Sequence, residues 1–120
     1  MAVQPIHLEQ RRHPRQPVRV EIMFSPDGTQ IEDGLVLDLS PGGCRVVSAW
    51  QPSAGSFLQL QLRPQNHSFI LIPQAAVQWV KDGVFGVAFI EVPDLEAGTL
   101  TRFLWSFYAA PEHAQPFLTV

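Results

Sequence analysis

The sequence predicts a mostly β fold, a six-stranded antiparallel β-barrel with a C-terminal α-helix. Three observations carry this expectation. Apolar and polar residues alternate in stretches that recur from Pro17 to Ile90, the period of half-buried strands. Short turn-rich joints separate these stretches: SPDG at 25–28, DLSPGG at 38–43, QPSAGS at 51–56, RPQNHS at 63–68 and KDG at 81–83. Beyond Asp94 the apolar period lengthens to that of a helix. Short connections between strands, with no helix among them, favour antiparallel closure.

The elements follow in order. Val18, Val20, Ile22 and Phe24 alternate with Arg19, Glu21 and Met23 in the first strand. Residues 31–39 form the second, with Leu35, Leu37 and Leu39 expected on one face. Cys44 to Val47 is a short third strand, and Cys44 reads as a small buried hydrophobe within it. In the fourth, Leu58, Leu60 and Leu62 oppose Gln59 and Gln61. Phe69 to Val80 and Val84 to Ile90 are the fifth and sixth, joined by KDG. Asp94 is placed to cap a helix starting at Leu95, in which Leu100, Phe103, Leu104 and Phe107 fall on one stripe. That stripe reads as a lid on the barrel, and Pro111 ends the helix. The expected organisation is an arm at 1–16, a barrel at 17–92, a helix at 93–110 and an irregular tail at 111–120.

Composition narrows the function classes. The 120 residues suit one domain, and 46% of them are hydrophobic, enough for a core without staples. The single cysteine excludes an intrachain disulfide and suits a reducing compartment. No apolar stretch approaches membrane-span length, and the N-terminal residues lack the apolar segment of a secretory signal, so a cytoplasmic protein without membrane insertion is expected. The net charge of −3 is unevenly spread. Arg11, Arg12, Arg15 and Arg19 against Glu9 make residues 1–19 +3, while the other 101 residues carry −6. An acidic body disfavours a polymeric nucleic acid as partner, including a single strand on an aromatic groove. A basic head on such a body points to a small anionic partner, or to a head folding back on its own domain.

Enzymatic and metal chemistry find no support. His7, His13, His67 and His113 are scattered, without ligand spacing to a cysteine or carboxylate. Ser40 lacks the glycine two positions before it that a nucleophile elbow needs, and no phosphate-binding Gly–Lys loop exists. The expectation is a binding protein with no cofactor.

Two stretches stand out as binding chemistry. DLSPGG suits a tight turn, with Asp38 and Ser40 bonding backbone N–H groups and Gly42 and Gly43 expected to supply positive φ. Asp38 and Ser40 also share parity, so both emerge on one face, beside a Gly43 that would let a flat ligand approach the backbone. A carboxylate can accept from the N1–H and N2–H₂ edge of guanine. In QRRHPR, Pro14 and Pro17 discourage helix, and in an extended chain Arg11 and Arg15 reach the same side. Their guanidinium forks suit phosphate oxygens and the guanine O6/N7 edge.

With these residues in view, the sequence resembles the PilZ domain family, bacterial receptors for cyclic di-GMP. RRHPR, Arg11 to Arg15, matches the family's RxxxR stretch, and DLSPGG, Asp38 to Gly43, matches its (D/N)xSxxG stretch. VQWVKDGVFGVAF at 77–89 is similar to its strand–turn–strand, with a Trp before the turn and GxxF after it. The resemblance runs from about residue 9 to residue 108.

It implies a PilZ-type barrel that binds cyclic di-GMP through Arg11, Arg15, Asp38, Ser40 and Gly43, with Arg12 and Gly42 adjoining the site. Trp79 is expected to pack in the core or rim. Ligand binding would order the arginine loop against the barrel and signal to an effector protein controlling motility, adhesion, biofilm or exopolysaccharide. The alternative is a PilZ-fold adaptor working through protein contacts alone, as in type IV pilus assembly.

Overall fold

The computed structural model describes residues 16–109, and Arg11, Arg12 and Arg15 lie outside that range. Six strands follow one another: β1 (Gln16–Ser25), β2 (Glu32–Ser40), β3 (Gly43–Val47), β4 (Phe57–Arg63), β5 (Ile70–Lys81) and β6 (Val84–Glu91). They close into an antiparallel barrel in the order β1-β2-β3-β6-β5-β4, and helix α1 (Asp94–Ala109) follows. The fold is the one the alternation and the short joints predict.

The barrel is filled by the inward half of each alternation. Ile22, Val36, Val46, Leu62, Ile72 and Phe85 are all fully buried, and Phe24 meets Phe85 edge-on with ring centroids 5.3 Å apart. Each such side chain contributes about 1.5–3 kcal/mol relative to exposure, and the edge-to-face ring pair is the favoured aromatic geometry. Leu100, Phe103 and Leu104 of α1 join this core, as a lid should. Glu96 anchors the helix by accepting from the Leu71 N–H at 2.8 Å, and His67 packs edge-on against Phe103 at 5.0 Å.

Two details of the helix and strands differ from expectation. Pro93, not Asp94, is the flanking residue of α1: its carbonyl accepts from the Ala97 N–H at 2.8 Å, and Asp94 is the first helical residue. There Asp94 and Glu96 still complement the positive end of the helix dipole. The second difference is in β2. Val36 and Leu39 are the fully buried residues, whereas Leu35 and Leu37 are half-buried, so Leu35, Leu37 and Leu39 do not share a face. The cause is a β-bulge between Val36 and Asp38, where Leu37 and Asp38 together oppose Arg45 of β3. One extra residue shifts the phase of everything after it.

The turns are equally specific. Asp82 and Gly83, with φ of 53° and 82°, form the two-residue loop between β5 and β6. Positive φ at both positions is the mirror-turn geometry that matches the strand twist. The β2–β3 loop, Pro41–Gly42, is also two residues long, with Ser40 paired to Gly43. Pro41 cannot take positive φ. Gly43 is itself a strand residue, not the positive-φ turn glycine expected of it.

Candidate functional site

The bulge in β2 decides where the DLSPGG side chains go. Had β2 kept the phase of Val36, Asp38 would point into the barrel and Leu39 out of it. The extra residue reverses this, so Leu39 enters the core opposite Cys44 while Asp38 and Ser40 lie on the outer face. The expectation that these two side chains share a face therefore holds, for a reason their parity alone does not contain.

The ladder then builds a platform from that point. Asp38 is the cross-strand partner of Arg45, Arg45 of Gly86, and Gly86 of Trp79, one row running across β2, β3, β6 and β5. The neighbouring row on the same face is Ser40, Gly43, Ala88, Ala76 and the half-exposed Phe57 of β4. Adjacent strands lie about 4.8 Å apart, so Asp38 and Trp79 stand about 14 Å apart across the sheet. Beside the Arg45 side chain, the floor between them carries only hydrogen or methyl side chains at Gly43, Ala76 and Ala88, and the Trp79 indole rests over Gly86. The result is a smooth shelf with a polar wall on one side and an indole on the other.

The polar wall is internally bonded. Arg45 donates from Nε to Asp38 Oδ2 at 2.6 Å, a charge-assisted hydrogen bond between cross-strand neighbours. The Asp38 side chain is 12% exposed and that of Arg45 43%. Ser40 Oγ accepts from the Gly42 N–H at 3.2 Å and donates towards the Gly43 carbonyl at 3.4 Å, which holds the loop shut. The Gly42 carbonyl in turn accepts from Phe89 N–H at 2.9 Å, tying the loop to β6. Gly43 has a steric reason to be glycine: a Cβ there would overlap the Val87 carbonyl oxygen. Close backbone approach is thus what this glycine provides.

Asp38, Ser40, Gly42 and Gly43 are brought together at one end of the shelf. Arg11, Arg12 and Arg15, the expected opposite jaw, fall outside the described residues. Two further participants lie beyond the motif residues. Trp79 belongs to the rim and not the core: it stands on the outer face, 39% exposed, covering the bare backbone of Gly86 so closely that a methyl at Gly86 would strike the indole. Arg45 escapes a reading by motifs, although counting back from a two-residue Pro41–Gly42 loop pairs it with Asp38. The same count from Asp82–Gly83 places Trp79 opposite Gly86. Loop length is the signal that finds both.

Comparison with known proteins agrees with this architecture. The family model described as PilZ domain matches residues 9–105, and the chain belongs to that family. Against curated proteins the sequence finds no match. Among solved structures, the PilZ domain with c-di-GMP of YcgR from Escherichia coli aligns with a TM-score of 0.71 at 16% identity, covering 92% of this chain and 99% of that one. The Bacillus subtilis inhibitor of motility aligns at 0.66 and 16% identity, over 84% of this chain and 53% of its own. The PilZ domain of CeSA from a cellulose synthesizing bacterium aligns at 0.62 and 16% identity, over 79% and 98%. The chain thus spans about half the length of the motility inhibitor. At these identities the likeness is one of fold.

Proposed function

We propose that this protein is a cyclic di-GMP receptor whose binding surface is the shelf between Asp38 and Trp79. The observation that carries the reading is the outward, side-by-side placement of Asp38 and Ser40 beside a floor of small residues, Gly43, Ala76 and Ala88, in a chain whose family includes domains solved with this ligand. A carboxylate held against the sheet accepts from a guanine N1–H and N2–H₂, and the bare floor lets the flat base approach the backbone. Trp79 gives a second flat surface at the far edge of the shelf. Asp38 and Ser40 are both buried, so a base reaches them only as covering groups part.

Arg11 and Arg15 supply the charge in this reading. They match the arginine stretch that precedes the barrel in the family, and they belong to the basic head of a chain that is otherwise acidic. Closure of that arm over the phosphates orders it and makes a new surface, to which an effector protein responds. The ligand drives the change only by binding the closed state more tightly than the open one, and the arginines provide that difference. The protein acts as a receptor and adaptor rather than an enzyme, in the cytoplasm.

Calorimetric titration with cyclic di-GMP tests the proposal. The expected result is saturable binding that Asp38→Ala and Arg15→Ala each weaken at least tenfold, with unchanged circular dichroism. No heat and no spectral change with the unsubstituted protein would instead identify an adaptor that works through protein contacts alone.

A further inference from the structure

We infer that the outer face of β1 and β4 carries a docking groove for this chain's own basic arm, residues 1–15, which lies there while the shelf is empty. The groove stands apart from the shelf; only its coupling to ligand rests on the reading of the shelf as a cyclic di-GMP site.

The groove is made of two joined depressions that share Met23. The larger, about 620 Å³, is walled by Met23 and Ile31 on one side of β4 and by Leu71, Pro73 and Pro93 on the other. Gln59 and Gln61 of β4 form its floor, and neither amide holds a hydrogen bond among the described residues. An amide offers both a donor and an acceptor to a passing main chain, which suits an extended peptide. Ile31 is 52% exposed and Leu71 47%, and contiguous apolar surface of this kind marks a contact for another segment. The smaller depression, about 410 Å³, is lined by Glu21, Asp33 and Arg63. Arg63 is drawn aside, its guanidinium 4.8 Å above the Phe69 ring and its Nη1 3.6 Å from Met23 Sδ. Among the described residues neither Glu21 nor Asp33 has an ion-pair partner.

The occupant follows from charge, order and length. An apolar channel that leads into unpaired carboxylates calls for a segment apolar at one end and basic at the other. Residues 1–15 have that make-up, with Ile6 and Leu8 followed by Arg11, Arg12 and Arg15. Residues 110–120 also hold apolar side chains, but they carry Glu112 and no Lys or Arg, so an acidic tail would meet an acidic groove. The arm joins β1 at Gln16, and Glu21 precedes Met23 along that strand. Doubling back over β1, it meets the carboxylates first and the apolar half second, the order in which its own arginines and apolar residues occur. From Gln16 to Met23 is seven residues, about 23 Å of strand. An extended arm with two residues in a turn covers that distance in about nine residues, which brings the stretch from Ile6 to Leu8 level with Met23. Pro14 suits the turn.

Docking of this kind holds Arg11 towards Glu21, which lies opposite Leu35 and away from the Asp38 end of β2. A guanidinium placed there does not serve the ligand, so cyclic di-GMP and the groove compete for the arm. Ligand binding then uncovers the apolar channel, a surface that the free protein keeps from an effector.

Methyl NMR of the full chain tests this at Met23 and Ile31. Without ligand, the double substitution Ile6→Ser with Leu8→Ser should shift both methyl signals, although it touches no barrel residue. Saturating the unsubstituted chain with cyclic di-GMP should move the same signals to their positions in the substituted chain. Calorimetry should give the substituted chain about threefold tighter cyclic di-GMP binding, because no docked state has to be left first. Three outcomes overturn the inference. Identical ligand-free methyl signals in the two chains remove the arm from the groove. Signals that change with protein concentration assign the groove to a second copy instead. Docked-state signals that persist at ligand saturation, with affinity unchanged by the substitutions, separate the groove from the shelf. If the unsubstituted chain binds no cyclic di-GMP, the receptor reading falls, while the ligand-free comparison still decides whether the arm docks.

Discussion

Strand β4 keeps one phase from Phe57 to Arg63, while β2 changes phase at Leu37. In β4 the buried residues are Leu58, Leu60 and Leu62, every second position, and its outward side chains are exposed or half-buried. In β2 the inward positions are Val36 and Leu39, three apart, and the residues after the shift are the ones proposed to meet the ligand. The regular strand serves the core alone. The irregular one gives up a simple alternation and gains an acidic side chain on the outer face, where it is bonded rather than buried without a partner. Departures from local regularity concentrate where a surface has a task.

This contrast can be broken most directly in the core. Leu39→Ala and Leu62→Ala should each cost about 2–5 kcal/mol, as buried leucines do, whereas Leu37→Ala should cost less than about 1 kcal/mol. Urea denaturation measures all three; a Leu37 variant as damaging as the Leu39 one means that β2 keeps its phase and Asp38 points inward. Next in size is Gly43→Ala. A methyl forced against the Val87 carbonyl should cost about 1–3 kcal/mol, read as a lower midpoint in the same experiment. Stability unaffected by that change would move β3 and β6 further apart than described.

A smaller effect sharpens the comparison at the bulge itself. A double-mutant cycle with Asp38→Ala and Arg45→Ala should give a coupling of about 0.2–1 kcal/mol, the range for a cross-strand pair with one exposed partner. The smallest effect lies at the turn after β1. Asp27 Oδ1 accepts from Gln30 N–H and Thr29 N–H, each at 2.8 Å, and from the Thr29 hydroxyl at 3.0 Å. These bonds, the Gln30 one foremost, lower its pKa from the ordinary 3.8 to about 2. A depressed folded value means the contribution is complete above the unfolded pKa and fades as pH falls through about 2. Carbon-detected NMR titration of the Asp27 carboxyl should show its midpoint near 2, and a midpoint near 3.8 would remove the bonds from solution.

Much of the fold is legible because the barrel has a period. Alternation in β4, a turn at KDG and the Leu100, Phe103, Leu104 stripe each answer to a local rule, and all three appear as read. The outward pairing of Asp38 and Ser40 is legible in the motif, whereas the residues standing beside them are not. Arg45 and Trp79 join the same face through cross-strand register, a non-local property that depends on loop length and on where a bulge falls. Trp79 shows the limit of a general rule about aromatics. Its neighbour is a glycine, and an indole resting on bare backbone is both packed and exposed.

Ring closure has one further consequence. Each of the six described strands is paired on both flanks over at least part of its length, so main-chain edge is left only in short stretches such as residues 16–20 on the flank away from β2. Donation of a full-length extra strand from another polypeptide therefore has no continuous edge to join along this barrel. A partner that reads the state of this protein meets mainly side chains, loops and the helix.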